Sequence, residues 1–339
     1  MSQMLTEAKE ASKKISQLLS RDAALYQELA DQLIKQKPNF VATIARGSSD
    51  HAATYAQYLI PMVTGKVVAS IPPSTVTVLD SKLDLKNQFV IGISQSGVSP
   101  DILRSFEACK KSGAICASIV NDAQSPLARA AQYFFDQHAG VELGLAATKT
   151  VLCTLTVIAR IAATWSQDKA LQAGILKLPE TLLQNFNLGL AIDPKKLIGS
   201  SNVFVLSRGL GFSAAHELSL KIKETCGIHS EAFSTAEVRH GPREIVDQKF
   251  TIIALALPGS GEQEIIQTAS ELRDQGARVV LVAEKKHNPD IELIAGTDHR
   301  LSPIHALQTL YPWIAQSSVA LGRNPDKPKQ LKSKVIHTI

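Results

Sequence analysis

The sequence predicts an α/β protein of two tandem parallel sheets, each flanked by helices. Three observations carry that prediction. Short apolar runs alternate with helical patterns along most of the chain, which is the signature of parallel sheets covered on both faces. Strand-plus-glycine signals recur: the run 39–45 entering Arg46-Gly47 returns 162 residues later as 203–207 entering Arg208-Gly209. At the same offset the run 89–93, closed by Gly97, returns as 251–255, closed by Gly259, and 113–120 returns one residue further out as 276–283. The two halves therefore read as copies of one βα unit. Finally, 339 residues suit two domains, each able to bury its own core.

In chain order, residues 2–36 mix leucines, isoleucines and alanines with charges and predict a helical stretch. A strand at 39–45 leads into a helix over 48–60, and 67–70 supplies a further strand. The strand 89–93 is followed by a helix over 100–111, opened by Ser99 as N-cap with Pro100 at its first position. Strands at 113–120 and 133–136 complete the first sheet. The most apolar segment, 151–165, is interrupted by Arg160 and several threonines; it is too short and polar to span a bilayer and predicts a buried helix. Proline and Gly-Ser interruptions over 192–201 mark a linker, dividing the chain into domains 1–192 and 193–339. The second copy then runs through a strand at 203–207, a helix over 214–226 closed by Gly227, and strands 251–255 and 276–283 around a helix over 262–275.

Composition narrows the function. Hydrophobic content of 45% and charged content of 20% are those of a globular protein, and the net charge of +5 is mild. Basic residues are scattered except over 327–334, and aromatics are 5%, which argues against a nucleic-acid platform and suits a small anionic substrate. The charged N-terminus lacks the apolar stretch of a signal peptide. Cys109, Cys116, Cys153 and Cys226 show no metal-ligand spacing and predict reduced, buried thiols in a cytoplasmic protein with no metal and no cofactor.

Two stretches carry chemistry. In 93–101, Ser94, Gln95, Ser96 and Ser99 crowd a strand-to-helix turn, more hydroxyls than capping alone needs, and hydroxyls plus free amides at a helix N-terminus make an anion cradle. Gly47, Ser48 and Ser49 add to it at the end of the first strand. In the second half, Glu217, Lys221 and Glu224 fall on one narrow helical arc, and Glu231, Glu237 and His240 follow. Such a set can move protons without a metal, or can be a solvated face with an i,i+4 pair. Gly209-Leu210-Gly211 matches a loose dinucleotide pattern, but the region after it, Ile228-His229-Ser230-Glu231, is too polar and short for the strand that motif wants.

Together, Gly47-Ser48-Ser49, Ser94-Gln95-Ser96-Gly97, Thr148-Lys149, Lys221 with Glu224, and His240-Gly241-Pro242 resemble the tandem sugar isomerase (SIS) domain family. The resemblance is to the branch holding aminotransferase isomerase halves and hexosamine-phosphate deaminases, and it implies two flavodoxin-like domains. It further implies that Gly47, Ser48, Ser49, Ser94, Gln95, Ser96 and Ser99 hold a sugar phosphate. Glu224 corresponds to the acid–base between C1 and C2, Lys221 to its neighbour, and His240 to a ring-opening histidine that reaches into the partner's site of a homodimer. Ser333 stands where the aminotransferases carry a lysine, which leaves Lys332 or Lys334 to serve; Lys334 is the catalytic candidate. The chain opens on a helix, with no glutaminase segment and no cysteine at position 2, so the expectation is that it releases ammonia from a hexosamine 6-phosphate rather than installing it. The alternatives are a ketose–aldose isomerase or deglycase, and a non-catalytic sugar-phosphate sensor.

Overall fold

The structure is a computed structural model and describes residues 1–259 and 261–330. Two helices, α1 (Gln3–Leu19) and α2 (Ala23–Gln36), precede β1 (Phe40–Ile44), α3 (Ser48–Thr64), β2 (Val67–Ser70) and the one-turn α4 (Ser74–Thr77). Then come β3 (Phe89–Ser94), α5 (Pro100–Lys111), β4 (Ile115–Val120), α6 (Pro126–Ala130) and β5 (Tyr133–Asp136). Helices α7 (Lys149–Trp165) and α8 (Lys169–Ala191) lead to β6 (Asn202–Ser207), α9 (Gly211–Lys221) and β7 (His229–Ser234). The chain continues through α10 (Thr235–Val238), β8 (Phe250–Leu255), α11 (Glu262–Asp274), β9 (Arg278–Ala283), β10 (Ile291–Glu292) and α12 (Ser302–Ala320).

Both sheets are parallel and five-stranded, in the orders β2-β1-β3-β4-β5 and β7-β6-β8-β9-β10, which are the same 2-1-3-4-5 arrangement. The internal repeat holds at the level of single pairs. Val41 lies opposite Phe89, and 162 residues on Val203 lies opposite Thr251; Phe40 opposite Val67 becomes Asn202 opposite His229. Central strands β3 and β8 are buried along their whole length, as strands covered on both faces must be, whereas edge strand β2 buries only Val68.

The chain divides into two compact units. Among the described residues, one comprises 13–142 and 150–176 and holds the first sheet; the other comprises 1–12, 143–149 and 177–330 and holds the second. In the first, Ile44, Val90, Ile102, Phe106 and Leu127 form the core beneath α5 and α6. In the second, Phe204, Leu206, Val238, Ile252, Ile265 and Leu272 pack under α10 and α11.

Three elements depart from the expectation. The N-terminal stretch breaks at Asp22, which adopts φ 58° and separates α1 from α2. The polar segment after Gly227 is a strand, β7, because an edge position needs little apolar surface. The third is the stretch holding Glu237 and His240, which is not one continuous polar run: Phe233 and Ser234 end β7, and Val238 is fully buried. No helix among the described residues is long and apolar enough to cross a membrane.

Candidate active site

In the order 2-1-3-4-5 the strand direction of travel reverses between β1 and β3, and the loops leaving these two strands lie where sheets of this order generally bind ligands. The sequence places Gly47, Ser48 and Ser49 on one of these loops and Ser94 to Ser99 on the other, so the fold brings the two serine clusters together. Gly97 is the hinge of the second. It adopts φ 66°, and a Cβ there would stand 2.2 Å from Ser125 Oγ. The loop is thus pressed against the start of α6, with Gly97 N–H donating to Ser94 Oγ at 3.0 Å and Leu127 N–H to the Gly97 carbonyl at 3.2 Å. Ser99 occupies the N-cap position of α5, but its side chain makes no capping bond. That leaves the hydroxyl to do something other than end a helix. Gln95, Ser96 and Ser99 are all partly accessible.

Arg46 follows β1. Its Nε donates to the buried Asp101 carboxylate in the first turn of α5, at 2.9 Å. The second unit repeats the device at its own reversal point, where Arg208 pairs with Glu264 in the first turn of α11. Sequence reading used the two arginines to align the halves and overlooked their acidic partners, although these recur at nearly the same offset. Beside Arg46, burial pushes the Asp50 carboxyl up against the pull of His51 and Arg46.

The second cluster lies on α9 and the turn that follows. Lys221 Nζ is 2.6 Å from Glu224 Oε2 and 3.4 Å from Glu217 Oε1. Lys221 and Glu217 are buried, while the Glu224 side chain is 21% exposed, so only Glu224 of the three can meet a substrate. Tyr311 of α12 also donates to Glu217, at 3.4 Å. Past Lys221 the helix widens into a π turn over Ile222–Cys226, and Glu224 sits inside it. Such turns often occur at functional sites, since they re-aim one side chain against the regular helical rows. The looser carbonyls are covered: Thr225 Oγ1 donates to the Lys221 carbonyl and Ser318 Oγ to the Thr225 carbonyl, both at 2.8 Å. Gly227 ends the turn at φ 64°, as the sequence predicts. No residue pattern announced the π turn.

His240 sits on a different element, the exposed turn after α10, where its N–H donates to the Glu237 carbonyl at 2.9 Å. Glu237 is exposed as well, and Glu231 is half exposed on β7. The serine loops belong to one compact unit, and Glu217, Lys221, Glu224 and His240 to the other. Lys332 and Lys334 lie outside the described residues. A buried ammonium beside a partly exposed carboxylate can hold that carboxylate in place, stabilise developing negative charge nearby and pass protons through Glu224.

The profile of the SIS domain matches residues 33–163 and 196–302. Among curated proteins, the isomerizing glutamine–fructose-6-phosphate aminotransferase of Thermococcus kodakarensis is 27% identical over 347 residues, covering 98% of this chain and 57% of that one. The chain spans about half the length of the curated relatives it matches. Among solved structures, a candidate phosphosugar isomerase from Silicibacter pomeroyi aligns with a TM-score of 0.89 at 33% identity, covering 96% of this chain and 100% of the other. A glucosamine-6-phosphate deaminase from Thermotoga maritima shares the fold, with a TM-score of 0.79 at 21% identity, over 98% of this chain and 99% of that one.

Proposed function

Because this chain belongs to the SIS domain family, we propose that it is a hexosamine-phosphate deaminase, converting glucosamine 6-phosphate and water into fructose 6-phosphate and ammonia. One observation carries the reading: the carboxylate of Glu224, partly open to solvent, held 2.6 Å from a buried ammonium. His240, supplied by the neighbouring subunit of a homodimer, opens the sugar ring by moving a proton between O5 and O1. Glu224 then takes the C2 proton and returns it at C1, giving a C2 imine; water adds at C2 and ammonia leaves. Lys221 steadies Glu224 throughout and stabilises the oxyanion that develops on enolisation. The serine loops hold the phosphate through hydroxyls and amides at the start of α5. The deaminase from Thermotoga maritima lends support, in that its fold extends over nearly all of this chain.

A second reading, aldose–ketose isomerisation without loss of nitrogen, is favoured by the 33% identity to the candidate phosphosugar isomerase. Both reactions need the same proton transfer, so the products decide. A panel of 6-phosphorylated and unphosphorylated hexosamines and hexoses is incubated with the protein, and ammonia and ketose are measured together. Deamination yields ammonia and keto sugar phosphate in equal amounts, from the amino sugar phosphate only. Ketose without ammonia establishes the isomerase reading, and phosphosugar binding with no product overturns both.

A further inference from the structure

We propose that Glu271, on the far turn of α11, is a positioning residue for His240; the proposal rests on the role given to His240 above. The turn bearing His240 is held at both shoulders by this one carboxylate. Glu271 Oε1 accepts from Arg239 at 2.9 Å and from Gln267 at 3.1 Å, while Oε2 lies 3.8 Å from Arg243. Arg239 immediately precedes His240, and Arg243 is the second residue of the 3₁₀ turn Pro242–Ile245 that follows it. Ahead of them Val238 is buried in the core, and Thr235 donates to Glu264 at 3.1 Å. The turn is therefore referenced to α11, and His240 is exposed on it.

A role in stability alone accounts poorly for this arrangement. The side chains of Arg239, Glu271 and Arg243 are each about one-third exposed, and ion pairs of that kind add little to folding. Arg239 also leaves its Nε buried without a partner, a cost that a purely decorative surface pair would avoid by turning to water. What the pairs do achieve is to fix the backbone on either side of a residue whose proposed work depends on reach and angle. A displacement of about 1 Å at such a group can cost on the order of a hundredfold in rate.

The test is a double-mutant cycle on turnover of glucosamine 6-phosphate, or of whichever phosphosugar the panel identifies. Glu271→Ala is expected to lower kcat roughly ten- to a hundredfold with KM within about threefold, and to leave the thermal midpoint nearly unchanged. Glu271→Gln, which keeps an acceptor for Arg239, is expected to recover part of the loss. In a His240→Ala background the Glu271→Ala change is expected to add nothing further, because the group it positions is gone. Loss of a general acid–base leaves roughly 10⁻² to 10⁻⁴ of the rate, which single-turnover measurement at high enzyme concentration resolves. An equal loss in both backgrounds, or a Glu271→Ala protein at wild-type kcat, overturns the proposal alone. Wild-type turnover by His240→Ala overturns it together with the catalytic role of His240.

Discussion

The surroundings of Glu224 are set by where the helix stops being regular. In an unbroken α-helix its side chain would follow the same rows as Glu217 and Lys221; inside the π turn it keeps the ammonium of Lys221 and still reaches solvent. Glu224→Gln should leave KM within a few-fold and lower turnover by about 10²–10⁴, measured by ammonia release from a saturating substrate. A variant within a few-fold of wild-type kcat removes Glu224 from the mechanism. A second buried group, His305 on α12, shapes stability rather than chemistry. Its Nε2 meets Thr181 Oγ1 at 2.8 Å, and burial holds its pKa at about 4 against an ordinary 6.5. The folded state therefore keeps it neutral while the unfolded chain takes up a proton as the pH falls below 6.5. Its contribution is fully present above that value and is lost progressively down to about pH 4, by roughly 3 kcal/mol in all. Urea denaturation at pH 7.5 and 4.5 should show a loss of stability that His305→Gln reduces.

The serine loop is the element whose geometry is set most tightly. With Gly97 in a left-handed conformation against Ser125, the chain between β3 and α5 has no room to take another path. Ser96→Ala combined with Ser99→Ala should weaken binding of a phosphorylated substrate by about 1.5–3 kcal/mol per lost bond, and leave the weak binding of the unphosphorylated sugar unchanged. Isothermal titration with the two sugars measures the difference, and equal losses for both would mean that the loop does not bind phosphate. This loop was fully legible in the sequence: the strand ends in hydroxyls, Ser99-Pro100 starts a helix where predicted, and the 162-residue repeat places the loop at a strand terminus. The central strands were legible for the same reason, since full burial forces continuous apolar runs. What escaped were elements fixed by context. β7 is polar because it lies at an edge, α1 and α2 are separated at a left-handed Asp22 where no glycine warns of it, and the π turn is covered by Ser318, which arrives from α12 more than ninety residues later.

Over the whole molecule, the repeat has kept the backbone and changed the side chains at the helix starts. Both halves preserve strand order, pairing register and an arginine–carboxylate pair at the reversal point. At the helix starts they differ: α5 opens behind hydroxyls with one carboxylate, tied to Arg46, whereas α11 opens on two, Glu262 paired with His287 and Glu264 paired with Arg208. Two carboxylates in the first turn of α11 already complement its helix dipole, whereas α5 offers hydroxyls beside its single carboxylate, so the first half is the better placed of the two to take an anion. The second half carries Glu224 beside the buried Lys221, and the exposed His240. If His240 serves the partner's site, a two-fold dimer holds two equivalent composite sites, each with Glu224 from one chain and His240 from the other. Glu224→Gln and His240→Ala homodimers should then each be nearly inactive. In a mixed dimer both lesions fall in one site and the other site is intact. Random exchange makes about half of the dimers mixed, each with one working site of two, so roughly a quarter of wild-type activity should return. Subunit exchange is followed independently by mass-tagging one variant. If exchange proceeds and activity does not return, each chain uses its own His240, or His240 takes no part.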